Sequence, residues 1–128
     1  MGERTFAISY DPALVPLFVV LGLGPRFARV VVGSDELHVG LGWGFRARVP
    51  LAAVRAAAPD PGRVTGWGAH GWRGRWLVNG SSQGLVKVSI DPPARARVVG
   101  WPVRVRELRV SLEAPGFFLA TMRSRTTP

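Results

Sequence analysis

Two stretches of strict alternation confine this chain to a sheet. From Glu36 to Leu41, Leu37, Val39 and Leu41 alternate with Glu36, His38 and Gly40. From Phe45 to Val49, Phe45, Ala47 and Val49 alternate with Arg46 and Arg48. Successive side chains of a strand point to opposite faces, so a period of two makes one face apolar and the other polar. A helix would scatter the same residues around its circumference. Gly42-Trp43-Gly44 breaks the pattern between the two strands. Thr5 to Tyr10 repeats it, with Phe6, Ile8 and Tyr10 on one side, and Asp11-Pro12 ends it because proline cannot donate a ladder bond. Phe27 to Val32 and Glu36 to Leu41 read as a hairpin around Gly33-Ser34-Asp35.

The rest of the chain is less uniform. Ala13 to Leu23 has no clean period and reads equally as a helical turn or a second buried strand. Pro50 to Ala58 is a short helix or an extended segment anchored by Leu51 and Val54, followed by a Pro-Asp-Pro-Gly loop at 59–62. Arg75 to Val78 and Leu85 to Ile90 are expected to pair as a hairpin, because Asn79-Gly80 supplies the positive φ angles a tight turn needs. Val86, Val88 and Ile90 would face inward. Asp91-Pro92-Pro93 separates that strand from Ala94 to Val99, which carries Arg95 and Arg97 on one side. Within Val103 to Leu112 the apolar phase changes: Val103 and Val105 share a parity that Leu108, Val110 and Leu112 do not. One inserted residue reconciles them and predicts a β-bulge near Arg106-Glu107. Ala114-Pro115 opens a helix with proline at its first position and Glu113 at the positive end of its dipole. Phe117, Phe118, Thr121 and Met122 form its apolar stripe.

The expected fold is therefore mostly β: an antiparallel sandwich or partly open barrel of about seven to nine short strands, capped by one C-terminal helix. Residues 1–128 read as a single domain, long enough for one core. There is no cysteine, which excludes disulfides, thiolate metal sites and thiol catalysis. Met1 to Phe6 lacks a basic segment followed by an apolar one, so no signal peptide is expected. The longest apolar run, Ala13 to Gly24, is interrupted by Pro16 and Gly22 and falls short of the roughly 20 residues a membrane-spanning helix needs. No transmembrane segment is expected, and the location read from these features is cytoplasmic, with peripheral association at the inner membrane face as the variant.

Several stretches together resemble bacterial domains of the pleckstrin-homology-like fold. They are Leu37-His38-Val39, the arginine strand running into Val49-Pro50-Leu51, Gly66-Trp67-Gly68, Leu85 to Ile90, and Val110 to Pro115 entering a helix with Phe118 inward. Gly44-Phe45-Arg46-Ala47 and Gly74 to Ser81 are similar to small uncharacterised actinobacterial proteins. The resemblance implies two roughly orthogonal antiparallel sheets capped by a helix, and an adaptor role toward peptides, proteins or membrane surfaces. Members that bind phosphoinositides carry a basic loop between their first two strands. Here Asp11 to Pro25 is apolar, so inositol-phosphate binding is not implied.

Charge points the same way. The net charge is +9, and the chain has a single lysine, so the sign comes from arginine. Arginine binds phosphate and carboxylate bidentately. Arg-x-Arg pairs recur at 46/48, 73/75, 95/97, 104/106 and 123/125, and at strand spacing both members project from one face. The alternative reading is a solvated outer face. Gly66 to Gly74 is the other candidate, since it gathers Trp67, His70, Trp72 and Arg73 among glycines, with Arg75 just beyond. Trp76 is assigned to core or rim packing. His38 and His70 have no nucleophile, orienting partner or metal-ligand pattern around them, so no catalytic, cofactor or metal site is expected. The candidate partner-binding residues are thus Trp67, His70, Trp72, Arg73, Arg75, Arg46, Arg48, Arg95 and Arg97. The function expected is a non-enzymatic binding or adaptor domain for a protein or an anionic surface. Nucleic acid is the first alternative, and peripheral membrane association through Ala13 to Leu23 the second.

Overall fold

The computed structural model describes residues 3–24, 26, 28–60, 68–81 and 83–126, with side chains for all of these except 68–72. Strands β2 (Ala28–Val32), β3 (Glu36–Leu41) and β4 (Phe45–Pro50) form an antiparallel meander. Their alternation sets their facing, because Val30, Val32, Leu37, Val39, Leu41, Phe45, Ala47 and Val49 are all buried. Arg46 and Arg48 are left in solvent. A short strand β1 (Arg4–Phe6) pairs with β2.

The chain then makes a 3-10 turn at Pro12–Leu14, capped by the Asp11 carboxylate, and a six-residue helix α1 (Val15–Val20). The segment that could be read as helix or strand is thus helical. Only Phe18 of α1 is buried. Tyr10 holds α1 in place: its ring packs edge-on against Phe18 at 5.1 Å and its hydroxyl donates to Leu23 O at 2.6 Å. After β4, a 3-10 turn (Leu51–Ala53) leads into β5 (Val54–Pro59), so 50–58 contains a helical turn and an extended segment in succession.

Four further strands complete one sheet: β6 (Gly68–Trp72), β7 (Arg75–Asn79), β8 (Leu85–Val98) and β9 (Trp101–Ser111). Their order is β1-β2-β3-β4-β8-β9-β7-β6, with β5 paired to β8. The sheet curls toward closure. Beyond β1 the chain reaches the ends of β9 and β7, where Ile8 bridges Leu112 and Tyr10 bridges Gly80. The result is a mostly β, partly open barrel with one C-terminal helix, as its alternating pattern anticipates.

Three sequence expectations are corrected. First, Asn79-Gly80 does not turn β7 back onto β8. β7 pairs antiparallel with β6 and parallel with β9, whereas the resemblance implied wholly antiparallel sheets. Gly80 is glycine for space: a Cβ there would lie 2.6 Å from the Tyr10 ring and 2.8 Å from Ser9 O. This junction is a buried polar cluster in which Ser111 Oγ accepts from Gly80 N and donates to Ser9 O, while Ser9 and Ser81 share a hydroxyl bond at 2.6 Å. Second, Asp91-Pro92-Pro93 does not end a strand. β8 runs through it and changes neighbour there, pairing with β5 up to Ile90 and with β4 from Arg95. Prolines, which cannot donate, are tolerated where the strand passes from one partner to the next. Third, Phe117 is 77% exposed, so the buried stripe of α2 (Pro115–Thr126) is Phe118 and Met122 alone.

The pairing breaks at the predicted place, but the extra residues lie on β8 rather than on β9: Ser89 pairs with Glu107 and Ala94 with Val105. Gly74 O accepts from both Arg106 N and Glu107 N, and the β8–β9 register shifts between Ser89 and Ala94 on the opposite strand. Val105 and Leu108 are therefore both buried. Helix α2 covers one opening of the barrel: Phe118 meets Phe6 edge-to-face at 5.4 Å, and Arg125 donates to Gly33 O at 2.6 Å. Trp76 packs on Phe45 at 6.1 Å at the margin of the core.

Candidate functional site

The outer face of the meander is where the arginines meet. Because Phe45, Ala47 and Val49 of β4 point inward, Arg46 and Arg48 point out; because Ala94 and Ala96 of β8 point inward, Arg95 and Arg97 point out. The register places Arg46 directly opposite Arg97 and Arg48 directly opposite Arg95. On the next strand Arg104 lies opposite Arg95. Side chains paired this way on one face have Cβ atoms roughly 4.5–5.5 Å apart, and like charges so placed repel. Two ridges that sequence parity kept separate are thus one lattice of five guanidinium groups.

Few counter-charges relieve it. Glu36 lies 3.6 Å from Arg48 and 3.5 Å from His38 Nε2, and its carboxylate is well exposed. Exposed pairs of this kind contribute roughly 0–1 kcal/mol. Among the described residues Arg46, Arg95 and Arg104 have no ion pair. Arg97 donates to Gly100 O at 3.1 Å, a bond that leaves its charge unneutralised.

The lattice lines a trough of about 1400 Å³ whose walls add Arg29 to the five arginines, with Glu3 and Glu36 as its acids. That exceeds the ~300–1000 Å³ of small-molecule sites, so it has room for a larger partner. The floor is open at Gly40, between Arg29 and Arg46, where an added Cβ would meet nothing within 4 Å. Exposed guanidinium forks can each clamp a phosphate or carboxylate through two parallel hydrogen bonds. Among the described residues, no three His, Cys, Asp or Glu side chains are grouped as a metal site would need.

Of the residues singled out from the sequence, Arg46, Arg48, Arg95 and Arg97 come together here. Arg73 lies in the β6–β7 turn and Arg75 follows it, and neither is part of the trough lining. Trp67 lies outside the described residues, as do the side chains of His70 and Trp72, whose backbones belong to β6. Arg29 was missed, and Arg104 was noted only as half of an Arg-x-Arg pair and not as a site residue. Their parity already turned them outward, but only the strand order shows that they join the same face. The β6–β7 turn was missed too. Arg73 and Gly74 both have positive φ, 53° and 84°, as a two-residue hairpin turn requires.

No family model, curated protein or solved structure matches the chain.

Proposed function

We propose that the domain is a non-catalytic binding module that holds an extended, multiply charged anionic partner in the arginine trough. The observation that carries this reading is arginine facing arginine across β4, β8 and β9. Such pairs lower stability unless an anion bridges them, and a bound polyanion returns that free energy as affinity. The resemblance to pleckstrin-homology-like adaptors supports the role more than the topology, given the parallel β7–β9 pair. A nucleic acid fits less well. Single strands are held by aromatic rings on which bases stack, and the described lining of the trough contains no Trp, Tyr or Phe.

Thermal unfolding with and without inorganic polyphosphate tests the reading. At low ionic strength polyphosphate should raise the midpoint of the wild-type protein, and the rise should shrink in high salt. Arg46→Ser/Arg97→Ser should show little of it. An unchanged midpoint at low salt would remove the proposal.

A further inference from the structure

One end of the sheet carries apolar side chains that no described element covers. β4 and β8 are antiparallel with Phe45 opposite Val98, so the turns at 42–44 and 99–100 leave the sheet at the same end. Val99 N donates to Gly44 O at 3.1 Å, joining the two turns. Trp43 Nε1 donates to Leu21 O at 2.6 Å, joining the end of α1 to them. The rim so formed presents Val20, Trp101, Val99 and Trp43, exposed by 82%, 75%, 65% and 55% respectively, with Leu17 and Val19 beside Val20. Large apolar side chains gathered in solvent at one end of a fold point to an interaction site.

The backbone adds a second observation. Val99 has φ of 52° and Gly100 φ of 78°, the signature of a two-residue turn whose first position favours Asn, Asp or Gly. A β-branched residue is disfavoured there, and strain of this sort collects at functional positions. Solvent exposure and backbone geometry both argue for a polar residue, yet the chain has valine. The arginine lattice begins at the same end: Arg46 follows Phe45, and Arg97 precedes Val98.

We propose that this rim inserts into the interfacial layer of an anionic membrane while the trough arginines face the lipid phosphates. The inference rests on the anion-binding reading above and names its partner. Three features favour lipid over a protein groove. The rim is made of protruding turns and a helix end. Five of its amides are satisfied inside the fold: Leu21, Gly22, Leu23, Gly44 and Val99 all donate to backbone carbonyls. Each such bond removes a donor that would otherwise be left unpaired in a low-dielectric layer. Trp43 and Trp101 supply the amphipathic rings that settle at headgroup depth, and neighbouring arginines supply attraction to anionic lipid. Among the described residues no helix is long and apolar enough to cross a membrane, so α1 would lie in the interface.

Flotation with vesicles of phosphatidylglycerol and phosphatidylcholine, and of phosphatidylcholine alone, tests this. The wild-type protein should float with the anionic vesicles only, with a blue shift in tryptophan emission. Val20→Ser/Trp101→Ser should lower partitioning about tenfold, as expected when buried apolar area is lost. Each trough arginine replaced should lower it about fivefold. Val99→Asn suits the turn better and so keeps the fold, yet it should also weaken vesicle binding. Unchanged binding of the rim variants would overturn the inference. Absent vesicle binding with intact polyphosphate binding would overturn it while leaving the trough reading standing; loss of both would remove both. A concentration-dependent dimer abolished by Trp101→Ser, without vesicle binding, would assign the rim to a second copy and overturn it. So would binding to RNA in place of vesicles.

Discussion

Arg46 on β4 lies directly opposite Arg97 on β8, both side chains in solvent and neither paired with a carboxylate among the described residues. Replacing one by an acid turns repulsion into attraction. Arg46→Glu should raise the unfolding free energy at low ionic strength by about 0.5–1 kcal/mol, and the gain should fade in high salt. Urea midpoints at two salt concentrations read this directly. A destabilised variant would mean that the pair is not in contact in solution.

Asp60 and Arg109 form an ion pair less exposed than those of Glu36 with His38 and Arg48 or of Lys87 with Glu107. The Asp60 side chain is 7% exposed and accepts from Arg109 Nε, tying the end of β5 to β9, while Asp60 N donates to Leu85 O at 2.9 Å. Removing the carboxylate takes a close acceptor from a partly enclosed guanidinium. Asp60→Ala should therefore cost about 2–3 kcal/mol in chemical denaturation, below the value for a fully buried pair because Arg109 keeps some solvent contact. A loss near the ~0.5 kcal/mol of surface changes would show that water replaces the contact.

Helix α2 offers an internal control in adjacent residues. Phe118 is fully buried against Phe6, whereas Phe117 is 77% exposed. Phe118→Ala should cost about 3–5 kcal/mol through lost burial and a cavity, and Phe117→Ala less than about 0.5 kcal/mol. Equal effects in thermal or urea unfolding would contradict this seating of the helix.

How much of this was legible without coordinates follows from which interactions are local. The facing of β3 and β4, the change of phase at Arg106-Glu107 and the start of α2 at Pro115 all follow from residue order along one element, and all are found. What was misread depends on distant segments. Asn79-Gly80 has the chemistry of a tight turn, but the passage of Tyr10 decides what its glycine is for. Pro92-Pro93 looks like a strand end until β4 and β5 are seen sharing β8 on either side of it. Helical spacing admits Phe117 and Phe118 to one stripe, and only the position of the barrel mouth separates them. The trough is the same case. Parity shows that each arginine points outward, but register alone shows that they point at one another.

Burial pushes the Tyr10 phenol above its ordinary range, and its hydroxyl is also committed to Leu23 O. The unfolded chain loses this proton near pH ~10, so the folded state holds it to higher pH. Stability from Tyr10 is complete below that value and falls as pH rises toward the raised folded one. Tyr10 is the only tyrosine, so tyrosinate absorbance reports it alone. Its alkaline titration should lag that of the denatured protein, and Tyr10→Phe should flatten the decline in stability above pH ~10. Coincident titration curves would show that the ring is open to solvent.

The claim on which the functional account depends is that the outer-face arginines act together on an anion. The salt dependence of polyphosphate affinity, measured by calorimetry for the wild-type protein and for Arg46→Ser/Arg97→Ser, tests it most directly. Affinity should fall linearly on logarithmic axes as salt rises, and the slope should lessen by about one for each arginine removed. An identical slope in the double variant, or no measurable binding at low salt, would contradict the account.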